Sequence, residues 1–236
     1  MLSTPIKIYY HVYGVNHYLD IMKEQFACLK SSGVYDECVD VSVGFIGDIA
    51  ALKQAKEFLK QYPKASIKSY SPNEKEYEFL TLRLLKHDAD VSRLFFALYI
   101  HTKGVTYPST HEAFYGGQFW RHYMNDFVIK RWRQHYNALC MKEYGYDCSG
   151  CKVIPKRKSA SGRTHISGNF FWANSEYVKT LKSLNRAENR FEAEMWVTSN
   201  EPIIYTNCNL FVDYNMRHEN YEQYISSLKT LSDYQL

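Results

Sequence analysis

No long apolar run occurs in this chain. The longest, residues 94–100, is about a third of the ~20 residues that cross a bilayer, so no membrane span is encoded. A strong charge excess is missing too. With 29 Lys and Arg against 25 Asp and Glu the formal net charge is +4, too small to predict nucleic acid as a partner, and any anionic partner is expected to be small. Cysteine is sparse for 236 residues. Cys28, Cys38, Cys140, Cys148, Cys151 and Cys208 are scattered through a chain too long to need staples, which excludes a disulfide-built scaffold. With no signal peptide ahead of the first strand, reduced thiols in a cytoplasmic protein are expected. Nor is the composition that of a disordered chain: at 45% hydrophobic, 16% aromatic and 23% charged it can bury a sizeable core. Repeats, low-complexity tracts and linkers are absent, and one domain over 1–236 is expected.

What is present is an alternation. Residues 6–13, between Pro5 and Gly14, are β-branched and aromatic, as a buried strand requires. Over residues 18–30 the apolar Leu19, Met22, Phe26 and Leu29 recur at helical spacing until Ser31, Ser32 and Gly33 stop the pattern. A strand (38–46), a helix (48–62), a short strand (65–70), a helix (about 73–87) and a near-continuous apolar strand (93–101) follow. Strand and helix taking turns predict an α/β protein with a mostly parallel central sheet flanked by helices. Later the pattern loosens. It predicts a long aromatic-rich helix near 118–144, a basic loop at about 145–163 and an extended stretch at 165–172. A helix at 175–184, a strand at 203–211 and a closing helix at 221–231, in a C-terminal helical tail of about 215–236, complete it.

Ligands of open α/β sheets bind beyond the carboxyl ends of the strands, so polar residues there carry most weight. The fourth strand ends on His101, Thr102, Lys103 and Gly104. An imidazole, a hydroxyl, an ammonium and a permissive glycine suit a phosphorylated ligand, and equally a strand surfacing into a turn. His165, Ser167, Gly168, Asn169 and Trp172 stand among aromatic residues and suit either a sugar-stacking pocket or a core strand with a glycine bulge. Glu192 and Glu194, near Trp196, offer a general base if partly desolvated, although most such pairs are simply solvated. Three signals weigh less. Asp88-Ala89-Asp90 looks like a divalent-metal motif but precedes the fourth strand, at its wrong end. Cys148 and Cys151 supply two of four zinc ligands with nothing to complete them. Lys156-Arg157-Lys158 is short and lacks interleaved aromatics, so a solvated loop able to close over phosphates is expected rather than a nucleic-acid patch.

In order and spacing these pieces resemble small glycosyltransferases of the GT-A (nucleotide-diphospho-sugar transferase) fold, found in bacterial surface-polysaccharide loci and large DNA viruses. The resemblance runs from Ile6 to about Trp196. It is carried by Tyr9-Tyr10-His11-Val12-Tyr13, Ser32-Gly33-Val34-Tyr35-Asp36, Tyr77-Glu78-Phe79-Leu80-Thr81-Leu82 and Tyr99-Ile100-His101-Thr102-Lys103-Gly104. Trp120-Arg121 with Met124, Ser167-Gly168-Asn169-Phe170-Phe171-Trp172-Ala173, and Arg190 with Glu194 and Trp196 complete it.

The resemblance implies that the nucleotide base and ribose fall on Tyr10, His11, Val12 and Tyr13, and that Glu78 and Thr81 face the donor. The family's metal-binding DxD position reads His101-Thr102-Lys103 here. His101 is one metal ligand at most, and Lys103 repels a cation while attracting phosphate. Dependence on Mn or Mg is left open, with Lys103 and the basic loop as the alternative way to stabilise a departing diphosphate. His165, Ser167, Gly168, Asn169 and Trp172 become the acceptor and donor-sugar wall, joined by Trp120 and Arg121, for which a core Trp and a surface Arg are the simpler reading. Glu194 becomes the base of an inverting transfer; His218 matches a C-terminal histidine that in some relatives reaches back to diphosphate or metal, although a solvent-exposed histidine is the simpler expectation. The implied activity moves a hexose or deoxyhexose from a nucleotide-diphosphate donor, UDP-linked, to a glycan hydroxyl. A catalytically silent nucleotide- or sugar-binding module is the rival, and nucleic-acid binding through the basic loop a lesser one.

Overall fold

The computed structural model of the chain describes residues 3–111, 113–184 and 189–208. Four parallel strands form its first part: β1 (Ile6–Gly14), β2 (Cys38–Gly47), β3 (Ala65–Ser71) and β4 (Phe96–His101). They are connected through α1 (Tyr18–Ser31), the short α2 (Val34–Glu37), α3 (Ile49–Leu59) and α4 (Phe79–Val91). Apolar periodicity carries these helices and capping sharpens one of them. Asp48 accepts a hydrogen bond from Ala51 N at 2.7 Å at the start of α3, a cap worth ~1 kcal/mol.

The spatial order β3-β2-β1-β4 sends the chain outward from β1 and then back to its other side. The winding therefore reverses between β1 and β4, and a crevice at such a switch point is where open α/β sheets take ligands. α1 and α3 cover one face of the sheet, and α4 covers the other. Fully buried side chains such as Phe26, Phe45 and Leu98 on the first face each contribute roughly 1.5–3 kcal/mol. Gly44 of β2 lets α4 approach closely, because a Cβ there would stand 2.0 Å from Thr81 Oγ1.

Five further helices and strands matter to the second part: α5 (Ala113–Met124), α6 (Trp132–Cys140), β5 (Cys148–Gly150), β6 (Val153–Ile154) and β7 (His165–Ile166). They are followed by β8 (Phe171–Asn174), α7 (Ser175–Thr180), α8 (Phe191–Trp196) and β9 (Ile204–Thr206). The seven-stranded sheet runs β3-β2-β1-β4-β8-β5-β9, with β8 antiparallel to both its neighbours, and β6 and β7 form a separate ribbon. The architecture is α/β, a mostly parallel sheet flanked by helices, as predicted.

Four local expectations are corrected. The basic loop expected over 145–163 contains β5, a strand inside the sheet. Three residues are too few to show periodicity, and the buried Ser149 is tolerated because its Oγ meets His135 Nδ1 at 3.0 Å. The long helix expected over 118–144 is two, α5 and α6, separated by a π-helical turn at Asn125–Lys130. The helix expected from about 73 begins at Phe79, after a 3-10 turn at Glu74–Glu76 and a Tyr77 with φ of 44°. The stretch at 165–172 is interrupted by Gly168 (φ 83°) and Asn169 (φ 56°), so its two ends join different sheets. All six cysteines are free. No helix among the described residues is long and apolar enough to cross a membrane. The C-terminal tail, the helix expected at 221–231 and His218 lie outside the described residues.

Candidate active site

His11 of β1 and His101 of β4 are register partners at adjacent strand ends. Above them opens a cleft of about 400 Å³. Its walls are His11, Tyr13 and Ile46 from the strand ends, Glu74, Tyr77 and Glu78 ahead of α4, the run 101–107 after β4, Gly117 of α5, and Arg190 and Glu194 at α8. Side chains alternate across a strand, and that decides which β1 residues arrive. His11 and Tyr13 line the cleft, whereas Tyr10 and Val12 are packed in the core on the opposite face, with Tyr10 Oη donating to Gln25 Oε1 at 2.6 Å.

His101 is held by its ring. Nε2 lies 2.9 Å from the carbonyl oxygen of Gly168; a carbonyl only accepts, so Nε2 carries the proton and Nδ1 is left as an acceptor. Burial, helped by the nearby Lys103 charge, lowers its pKa to about 3, so the ring is neutral at pH 7. His11 is likewise neutral, burial taking it to about 4, and its Nδ1 is 2.9 Å from Thr81 Oγ1. Thr81 thus stands behind His11, where Gly44 allows it to sit. Glu78 accepts at Oε2 from Tyr99 Oη (2.8 Å) and Asn169 Nδ2 (2.6 Å). Its other oxygen, Oε1, is 3.9 Å from His101 Nδ1. Thr102 stitches the strand ends together: its N donates to His11 O at 3.0 Å and its Oγ1 accepts from Tyr13 N at 3.0 Å. Tyr13 is pushed up to about 12 by burial and then by its hydrogen bond to Glu74. At Gly104, φ is 83° and a Cβ would come 3.0 Å from the backbone of Gly117, so glycine faces glycine where the turn crosses α5.

Of the residues singled out in the sequence, His11, Tyr13, Glu78, His101, Thr102, Lys103, Gly104 and Glu194 come together here. Ser167, Gly168 and Asn169 are buried and do not line the cleft; Gly168 and Asn169 hold His101 and Glu78 from behind. Trp120 and Trp172 are core residues, the latter donating Nε1 to Val128 O at 3.0 Å. Arg121 does not reach the cleft either. It is 2% exposed, holds Glu24 through Nε (3.0 Å) and Nη2 (2.9 Å), and donates Nη1 to Lys103 O at 3.0 Å, bracing the turn. His165 lies on the ribbon, 3.3 Å from Ser159 Oγ and away from the cleft. Glu192 pairs outside with Arg163 at 3.2 Å. Sequence reasoning missed Ile46, Glu74, Tyr77 and Tyr107 as lining residues, and gave Arg190 no role. Glu74 and Tyr77 adjoin Glu78 and were within reach of the same reasoning; nothing local marks the others. Among the described residues no three His, Cys, Asp or Glu side chains gather as a set to hold a metal ion.

A family model described as Domain of unknown function (DUF8361) matches residues 8–224. The chain belongs to the DUF8361 family. No curated protein sequence matches this DUF8361 member. Among solved structures, 4-diphosphocytidyl-2C-methyl-D-erythritol synthase from Anaerococcus prevotii DSM 20548 is similar with a TM-score of 0.46 at 8% identity, over 96% of this chain and 99% of that one. A second 4-diphosphocytidyl-2C-methyl-D-erythritol synthase gives 0.45 at 9% identity, over 98% and 100%. Likenesses this remote say nothing about the chemistry of this DUF8361 cleft.

Proposed function

We propose that the chain is a GT-A-type glycosyltransferase that moves a hexose or deoxyhexose from a UDP-linked donor to a glycan hydroxyl with inversion. One observation carries the reading: Lys103 and Glu194, distant in sequence, line one cleft at the reversal of the sheet's winding. Glu194 takes the proton of the acceptor hydroxyl as that oxygen bonds to the anomeric carbon. The bond from that carbon to the diphosphate oxygen breaks on the opposite face, and its electron pair leaves with the diphosphate. The ammonium of Lys103 and the guanidinium of Arg190 meet the departing charge. No step is assigned to Mn or Mg, because the described residues of the cleft do not make a three-ligand set. The missing carboxylate pair at His101-Thr102-Lys103 favours the second reading, a binding module without turnover.

A panel of UDP-, GDP- and dTDP-sugars, screened by thermal shift with and without Mn²⁺ and then assayed for released nucleotide, separates these. Stabilisation by a UDP-sugar with turnover supports the transferase. Stabilisation without turnover supports the module, and no response to any nucleotide sugar removes both.

A further inference from the structure

His101 Nδ1 and Glu78 Oε1 are both acceptors, they stand 3.9 Å apart, and both residues line the cleft. Each is fixed from behind. The Gly168 carbonyl holds the imidazole in the tautomer that leaves Nδ1 bare, and Tyr99 and Asn169 saturate the other carboxylate oxygen. Two neighbouring acceptors on an open cleft, with no protein donor between them, can take protons from the hydroxyls of a ligand that displaces water. One hydroxyl holds a single proton and can satisfy only one of them. Two hydroxyls on adjacent carbons bring one proton each. Lys103 follows His101 by two residues along the same cleft wall, and His101 feels the charge of Glu194.

We infer that His101 Nδ1 and Glu78 Oε1 form a paired acceptor site for a vicinal diol of a sugar ring, one hydroxyl donating to the imidazole and its neighbour to the carboxylate. The inference rests on the nucleotide-sugar reading, in which two rings flank the diphosphate: the ribose and the transferred hexose. Both present adjacent hydroxyls, and the experiment distinguishes them. In this arrangement His101 and Glu78 determine which hydroxyl pattern is accepted, because a site built to receive a hydroxyl discriminates strongly against an analogue lacking it.

The test is calorimetric titration of the full chain with UDP, 2′-deoxy-UDP and 3′-deoxy-UDP, and with UDP-glucose and its 2-, 3- and 4-deoxy analogues. Two adjacent positions, and no others, are expected to be sensitive. Loss of the hydroxyl facing Glu78 weakens binding roughly tenfold or more, and loss of its neighbour about fivefold. Sensitivity confined to the ribose positions assigns the site to the nucleoside, and sensitivity confined to the hexose assigns it to the sugar. Glu78→Gln and His101→Asn, checked for folding by thermal unfolding, each erase the discrimination at one of the two positions. UDP binding with every deoxy analogue within threefold overturns the diol site and leaves the nucleotide reading intact, as does discrimination unchanged in both folded variants. No UDP binding at all removes both. The ligand series on the unaltered protein decides the matter even if a variant fails to fold.

Discussion

The two ends of α4 carry acids of opposite fate. At the C-terminal end, Asp88 accepts from Tyr9 Oη at 2.7 Å and lies 3.6 Å from Lys7 Nζ, while Asp90 pairs with Lys86. Every one of these contacts is internal, and the end faces away from the cleft. At the N-terminal end, Glu78 has one oxygen saturated and the other turned to His101, beside a cleft that also holds Glu74 and Glu194. The motif that looks like a metal site is thus a structural clasp, and Glu78 is the acid with an oxygen turned to the cleft. Partners, not spacing, separate a carboxylate spent within the fold from one left facing a cleft. The helix dipole adds to the contrast, since a carboxylate is favoured at a helix start and disfavoured at its end.

Acid should strike the cleft end hardest. His11 and His101 are buried neutral there, with pKa values of about 4 and about 3 against an unfolded value near 6.5. Between these values the unfolded chain binds more protons than the folded one. The stability these groups supply is therefore complete above pH 6.5 and is lost as pH falls toward 4 and then 3. These two groups should contribute on the order of 3 kcal/mol to the difference in urea unfolding between pH 7 and pH 5. That adds to the share of His135, which burial away from the cleft also lowers to about 4. A folded His101→Asn variant should show a smaller difference.

Glu194→Gln keeps size and removes basicity, so transfer should fall roughly 100-fold or more, whereas Asp90→Asn at the far end should leave turnover unaltered; near-normal turnover in Glu194→Gln excludes it as the base. Gly168→Ala is next. Its Cβ would come 2.4 Å from Trp120 Nε1 and 2.5 Å from Met124 Sδ, at a φ of 83°, so a loss of about 1–3 kcal/mol should appear in thermal unfolding. Lys103→Ala should weaken UDP itself about tenfold by calorimetry, through loss of a charge-assisted contact to phosphate; unchanged affinity rejects its phosphate role. The smallest effect belongs to Asp88→Asn, expected to cost about 1 kcal/mol in stability with UDP affinity untouched. A shift in UDP affinity there would erase the contrast between the two ends.

The order of β1 to β4 and of α1, α3 and α4 was legible because each element carries its own periodicity: Ile6, Ile8 and Val12 in β1, or Leu80 and Leu85 in α4. The end of β4, which lines the cleft, was legible as a strand terminus for the same reason, since it follows from where a buried apolar run stops. β5 was not, because a three-residue strand is recognised only by the neighbours that pair with it on both sides. The resemblance puts Arg121 in the pocket, and nothing within α5 shows that Glu24 and the carbonyl of Lys103 claim its guanidinium. Tyr10 and His11 are adjacent in the chain and carry the same expectation, yet the pleat sends one to the core and the other to the cleft.

Local pattern by itself determined the alternation of strand and helix, the buried central strands and the polar residues on which they end, because burial imposes a period that can be read within a dozen residues. Only the tertiary structure decided which of those polar groups meet. Glu194 reaches the cleft from α8, Gly168 selects the tautomer of His101, and Asn169 and Tyr99 claim half of Glu78. Contacts between groups far apart along the chain depend on how layers pack, and packing is a property of surfaces that no single segment contains.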